Sequence, residues 1–373
     1  MDDRRLFDLV VVGGSFAGLI AARSAALLGL RVALLERKHD VGDKVRSTGI
    51  LVKEAAEELD FPRRLARTVR GVRLYGPTLR PLDLHSPGYY FLATDTPNLL
   101  RWLARQASEA GVEIMTGRAF AGFRREGELL ALGDIAARYL LGADGPRSAV
   151  ARAAGLGLNR DFLVGSEIEF DGPDGIDGDF LHCLLDSQIA PGYIGWVVPG
   201  VQGIQVGLAV SRGKRPALGP LLARFEPLFG LSRRQVLGRR GGPIPCGGLV
   251  RPLATDKVML IGDAAGMVSP LTAGGIHNAL RFGRRAAQAI ADHLLAGGPE
   301  PSAALARELP GYAAKAALRR LLDTAPPNML LDQALRTAPM RAFARHIYFH
   351  KRIAASSDSV WFRPASELPA IAD

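Results

Sequence analysis

Cysteine is scarce: 373 residues contain two, Cys183 and Cys246, far apart and outside any C-x-x-C pattern. That excludes a zinc ribbon or iron–sulfur centre built from this chain alone, and no metal site is expected. Two separate thiols fit a reducing compartment, each serving as a small buried hydrophobe. No run of about 18 apolar residues occurs, so no transmembrane helix is expected. Internal repeats and low-complexity linkers are absent as well. Lysine is rare, 7 against 40 arginines, yet the bases outnumber 37 acids and leave a net charge of +10. A basic excess suits anionic partners: phosphates, a nucleotide cofactor or an acidic membrane surface. Nucleic acid is not expected, because no recognition motif accompanies the charge.

What is present belongs to a folded protein. Hydrophobic residues make up 48% of the chain, too many for disorder. The length allows two or three domains whose cores need no staple. Met1 to Asp8 lacks the apolar core of a signal peptide. Arg4-Arg5 is similar to a twin-arginine signal, but a strand needed for nucleotide binding begins by Phe7. A cytoplasmic protein is therefore expected.

Phe7 to Val12 (FDLVVV) reads as a strand buried on both faces. The turn Gly13-Gly14-Ser15-Phe16-Ala17-Gly18 follows. An alanine-rich helix then runs from Leu19 to Leu28, and a second strand, Arg31 to Leu35, ends at Glu36. Strand, glycine turn, helix, strand and acid form the dinucleotide-binding unit. Its free N–H groups and helix dipole hold a pyrophosphate, and its acid accepts from ribose hydroxyls. Gly13, Ser15, Gly18 and Glu36 are the candidate contacts. Ser15 stands where the second glycine of G-x-G-x-x-G is usual, and its small hydroxyl suits a phosphate neighbour.

Two further strand–turn–helix junctions follow, YLLGADGPRS from Tyr139 and VMLIGDAAGMVSPLTAGGIHN from Val258, with a helix starting near Ala273. With the first unit they resemble the fold of para-hydroxybenzoate-hydroxylase-like flavoproteins, over about residues 7–295. The resemblance implies FAD. It places Asp144 and Gly145 close to it, Asp263 on its ribityl or ribose region, and Gly274 and Gly275 facing the flavin ring. Arg46, in the segment GDKVRSTGI after the second strand, is a further cofactor candidate. One fingerprint only is present, so NAD(P)H is expected as a transient electron donor, or a redox partner supplies electrons.

The fold class expected is α/β: a Rossmann-like FAD-binding domain, a mostly antiparallel β-sheet substrate domain and a helical C-terminal segment. Residues 1–66, 95–159 and 251–300 form the FAD-binding domain. The substrate domain takes 67–94 and 160–250, the former as strands of an antiparallel sheet. The latter stretch shows few helix signals. Thr96-Pro97 reads as the cap and first residue of a helix ending near Ala110; relatives often carry arginine at the Thr96 position. The helical segment is 301–373, with Met329 to Ala354 as one amphipathic helix bearing Arg336, Arg341, Arg345, Lys351 and Arg352.

PGYIGWVVP, from Pro191 to Pro199, resembles the P-x-x-Y-x-W-x-F-P motif of geranylgeranyl reductases. Ile194 stands at its tyrosine, beside Tyr193, and Val198 at its phenylalanine. The same segment partly matches the W-x-W-x-I-P of halogenases, and Lys44 is their candidate lysine. Reductases often have Cys-Gly where this chain has Ser47-Thr48-Gly49. Gly266 replaces the histidine of aromatic hydroxylases. The resemblance to the reductase branch implies reduction of isoprenoid or other hydrophobic C=C bonds. Tyr193 and His277 are its candidate acids and Trp196 lines the substrate tunnel. A monooxygenase or halogenase on a small aromatic or polyketide-like substrate, and a non-turnover flavin binder or redox-neutral cyclase-like protein, are the alternatives. A lipid substrate would bring peripheral membrane contact through the basic C-terminal helix.

Overall fold

The strand Arg5–Val12 is the centre of a parallel sheet in the computed structural model, which describes residues 4–172, 175–324 and 327–349. Its apolar run explains the place: Leu9, Val10 and Val11 are fully buried, as both-face coverage requires. Val32–Glu36 pairs with it in parallel on one side and Ile135–Gly142 on the other. Glu113–Thr116 and Val258–Leu260 extend the sheet outward on those two sides, again in parallel. All three glycine-bearing junctions thus leave neighbouring strands at the same sheet edge, where open α/β sheets bind ligands.

The first helix, Phe16–Leu27, packs against Ile276–Ala296. Small residues let the two approach: Ala21 and Ala22 are fully buried, and a Cβ on Gly283 would lie 2.9 Å from the Ala17 carbonyl. The second helix begins at Ile276 rather than near Ala273, because Ala273 has φ +52° and cannot propagate a helix.

A seven-stranded sheet forms the second layer, in the order Val236–Pro245, Phe162–Asp171, Gly203–Val210, Gly195–Pro199, Phe180–Leu184, Gly71–Tyr75, Pro81–His85. Phe180–Leu184 and Gly71–Tyr75 run parallel; the other five pairs are antiparallel. The strands read in 67–94 therefore divide. The outer two, Ala66–Val69 and Phe91–Thr94, join Ile50–Val52 in a separate three-stranded sheet. The middle two enter the large sheet through a parallel pairing across more than 100 residues, which local alternation cannot encode.

Three helical expectations change. Asp95 caps the Thr96–Glu109 helix, accepting from the Asn98 amide, so Thr96 is its first residue and Pro97 its second. A helix at Leu218–Phe229, inside the strand-rich stretch, covers one face of the seven-stranded sheet through Leu221, Phe225 and Phe229. Pro220 and Pro227 disguise it: the first lies in the first turn, where proline is tolerated, and the second in the last. The C-terminal amphipathic stretch is two helices, Asn328–Leu335 and Ala338–Tyr348, broken where Thr337 caps the second. Lys351, Arg352 and Ala354 lie outside the described residues. Among the described residues no helix is long and apolar enough to cross a membrane.

Candidate active site

The glycine turn is built by the chain's own packing. Gly13 has φ +111°, and a Cβ there would lie 2.4 Å from the Ala143 carbonyl oxygen. A Cβ on Gly18 would lie 1.9 Å from the Gly13 carbonyl oxygen. Both glycines let the first helix start close to two strand ends. Ser15 is exposed at the helix N-cap, and its hydroxyl makes no capping bond. Glu36 is buried: one carboxylate oxygen accepts from the Gly14 amide at 2.7 Å, the other from the Lys38 amide at 2.9 Å. Each carboxylate oxygen accepts more than one bond, so capacity for ribose hydroxyls remains.

At the second junction Asp144 turns one oxygen to the Ala149 and Val150 amides, capping the short helix Ala149–Ala153. Its other oxygen, Oδ1, is buried without a partner among the described residues. At the third, burial alone raises the Asp263 carboxyl to about 6. Asn159 ties the two junctions, donating to the carbonyls of Pro146 and Asp263. A Cβ on Gly275 would lie 3.4 Å from Asp263 Oδ1, so this carboxyl sits beside the uncapped N-terminus of Ile276–Ala296. A glycine pair at an uncapped helix start leaves amides open to an anion. An orphaned buried carboxylate oxygen, a carboxyl strained by burial and two free helix N-termini fit the hydroxyls and phosphates of FAD. Glu36, Asp144, Asp263 and the amides after Ser15 and Gly274 would hold it.

The remaining candidates divide between the layers. Arg46 is exposed and reaches to the second sheet, where a Cβ on Gly242 would lie 3.3 Å from its Cδ. Lys44 is exposed with φ +45°. Thr96 is buried against Gly49, whose φ is +73°, and bonds Thr94. Tyr193 donates its hydroxyl proton to the Thr272 carbonyl at 2.7 Å, fastening the loop that leads into Gly274. Burial pushes that phenol well above the ordinary tyrosine value. Trp196 is half-buried, with Nε1 donating to Glu167 at 2.7 Å. His277 bonds Glu58 at 3.0 Å, and Arg284 bonds the other Glu58 oxygen. Burial raises Glu58, but its bonds and electrostatic interactions with His277 and Arg284 outweigh it and hold the carboxyl below its usual value. Cys183 and Cys246 are free, and burial lifts both thiols to about 11, so neither is a thiolate near neutrality. Among the described residues no cluster suited to a metal ion occurs.

Glu58, Glu167 and Arg240 escaped the sequence reading. Glu167 and Glu169 alternate in one strand with apolar neighbours, and two acids facing inward from a sheet were the available signal.

Fold and cradle together define a dinucleotide-binding flavoprotein. The family described as FAD binding domain matches residues 7–202. Digeranylgeranylglycerophospholipid reductase 2 of Methanothermobacter thermautotrophicus is 31% identical over 311 residues, 78% of this chain and 79% of the relative. A geranylgeranyl bacteriochlorophyll reductase-like protein from Thermoplasma acidophilum superposes with a TM-score of 0.81 at 24% identity, covering 93% of this chain and 97% of that one. The flavin-dependent brominase Bmp2 is a more distant likeness in fold, TM-score 0.64 at 17% identity over 92% of this chain and 90% of the other. The chain belongs to the geranylgeranyl reductase family of FAD-dependent oxidoreductases.

Proposed function

We propose that this enzyme reduces C=C bonds in the isoprenoid chains of a lipid resembling the digeranylgeranylglycerophospholipid for which its relatives are named. One observation carries the reading: an apolar cluster of Leu163, Ala209 and Cys246, with Tyr193, Trp196, Ile244 and Ala273 against it, abuts the Gly274-Gly275 loop. The half-buried Tyr193, Trp196, Ile244 and Ala273 over this core would give an alkene an apolar lining and keep water from it. FAD, when bound and reduced, supplies the hydride equivalent. The open amides at Gly274 and Gly275 stabilise negative charge there. Tyr193, protonated across the working pH range, and His277, paired with Glu58, are the candidate proton sources. NAD(P)H or a protein donor would bind transiently. The seven-stranded sheet, drawn from residues 67–94 and 160–250, serves as the substrate layer, and the helices Asn328–Leu335 and Ala338–Tyr348 cover part of it.

Incubating the dithionite-reduced holoenzyme anaerobically with a polyprenyl glycerolipid should yield products heavier by two hydrogens per saturated bond. Oxygen or halogen incorporation under air, with no saturation anaerobically, would overturn the reading in favour of a monooxygenase or halogenase.

A lipid substrate also accounts for the surface of the C-terminal helices. Leu321, Met329, Leu330 and Phe343 are exposed there, Met329 by 70%, beside exposed Arg320, Arg336, Arg341 and Arg345. The acids among them are engaged: Asp323 with Arg319 and Ser211, Asp332 with Thr78. Apolar side chains ringed by arginines suit an anionic bilayer surface, at about 1 kcal/mol per cation. Flotation with vesicles containing anionic lipid should carry the protein up, and high salt should release it. Equal flotation with neutral vesicles, or none with either, would contradict this.

A further inference from the structure

Four neighbouring strands of the seven-stranded sheet carry one row of residues. Trp196 pairs with Gly207, Gly207 with Glu167, and Glu167 with Arg240. Directly paired residues share a face, so these side chains meet. A Cβ on Gly207 would lie 2.7 Å from the Trp196 ring, so the indole lies flat across the glycine. It reaches over Gly207 to Glu167, 3% exposed, and donates to Oε2 at 2.7 Å. Thr48 Oγ1 donates to the same oxygen at 2.7 Å, and Arg240 Nε donates to the other. The Gln205 amide completes the group, donating to the Thr48 carbonyl at 2.9 Å and accepting from Arg240 Nη2 at 3.0 Å.

A buried carboxylate is costly unless its charge is paired and its lone pairs are used. Here every donor comes from a different segment: the Trp196 strand, the Arg240 strand and the Thr48 loop of the nucleotide-binding layer. Removing any one would leave charge or acceptor capacity unmet. The indole also stands between two apolar clusters. On one side are Leu163, Ala209, Cys246 and Ala273. On the other are Leu181, Cys183 and Val198, with Leu335 and Ala344 of the C-terminal helices.

We infer that Glu167 is a positioning residue that locks Trp196 flat over Gly207 as a partition between these two clusters, and so limits how far a polyunsaturated chain advances past Gly274-Gly275. The inference rests on the isoprenoid reading for its substrate but not for the lock itself. A fixed partition makes the enzyme stop at particular double bonds; a loosened one opens the second cluster to the chain and changes which bonds are reached.

Two measurements separate lock from function. In a Trp102→Phe, Trp361→Phe background, Trp196 is the sole fluorophore of its kind. Glu167→Gln and Gly207→Ala should each add fast local motion to its anisotropy decay in flavin-bound protein. Unchanged decay in both overturns the lock, and Gly207→Ala decides alone where Glu167→Gln does not fold. The second measurement is the number of hydrogens added per polyprenyl chain. Both variants should shift that distribution and lower kcat/KM about tenfold, as expected for loss of a charge-assisted hydrogen bond. Trp196→Phe should reproduce the shift, and adding Glu167→Gln to it should cost little more. Strictly additive losses, or an unshifted distribution, contradict the inference. Absence of any saturation by the unmodified enzyme would remove the isoprenoid reading while the anisotropy result still decides the lock.

Discussion

Aspartate at Ser15 is expected to strip the protein of FAD while leaving the fold at least as stable. Ser15 occupies the N-cap of the first helix, exposed, with no side-chain cap bond. Aspartate is among the best capping residues and adds a charge that the helix N-terminus favours. The same charge would sit where the pyrophosphate needs those amides. Two unit charges about 4 Å apart near a protein surface repel by about 4 kcal/mol, roughly a thousandfold in affinity. Ser15→Asn is the control, because it caps equally well without the charge and should purify yellow. Valine at Gly13 cannot make this distinction. Its Cβ would meet the Ala143 carbonyl at 2.4 Å, so the turn itself would fail together with the cofactor site. The measurement is flavin per chain together with the unfolding midpoint. Full flavin in Ser15→Asp would remove the pyrophosphate from this helix terminus.

The legible parts of the molecule were those whose signal is local. A β-branched run, a glycine turn and an acid at fixed distance specify strand, helix and strand without knowledge of the rest, and the boundaries Arg5–Val12 and Phe16–Leu27 differ from expectation by a few residues. The fingerprint glycines stood out for the same reason, although Gly13 and Gly18 are demanded first by neighbouring backbone and only then by a ligand. What escaped depends on partners remote in sequence. His277 looked like a flavin neighbour on its helix, and its Glu58 partner lies 219 residues away. Trp196 announced itself through a motif, but Glu167 and Arg240, which hold it, belong to two other strands. Segment 67–94 alternated correctly and still fed two different sheets, because a parallel partner at Phe180–Leu184 captured its middle.

Asp263 should behave as a residue that serves binding at the expense of stability. Burial raises its carboxyl from 3.8 to about 6. The folded flavin-free chain thus holds this proton more tightly than the unfolded chain, and stability from this group falls as pH climbs between those values. Below about pH 3.8 both states are protonated and the penalty is absent; above about 6 it is complete, near 3 kcal/mol for a shift of this size. Asp263→Asn removes the ionisation. Flavin-free protein carrying it should gain about 3 kcal/mol at pH 7.5, and the gain should vanish near pH 4. The same change should weaken FAD about tenfold to a hundredfold, because a ribityl or ribose hydroxyl would lose a charged acceptor. Urea unfolding of flavin-free protein at the two pH values, with equilibrium flavin titration, tests both halves. A variant destabilised equally at pH 4 and pH 7.5 would make Asp263 a structural residue. One that gains stability yet binds FAD unchanged would move the ribityl contact elsewhere. The opposed signs are the mark of a site carboxyl, since packing alone gives no reason to hold a carboxyl where burial penalises its charge.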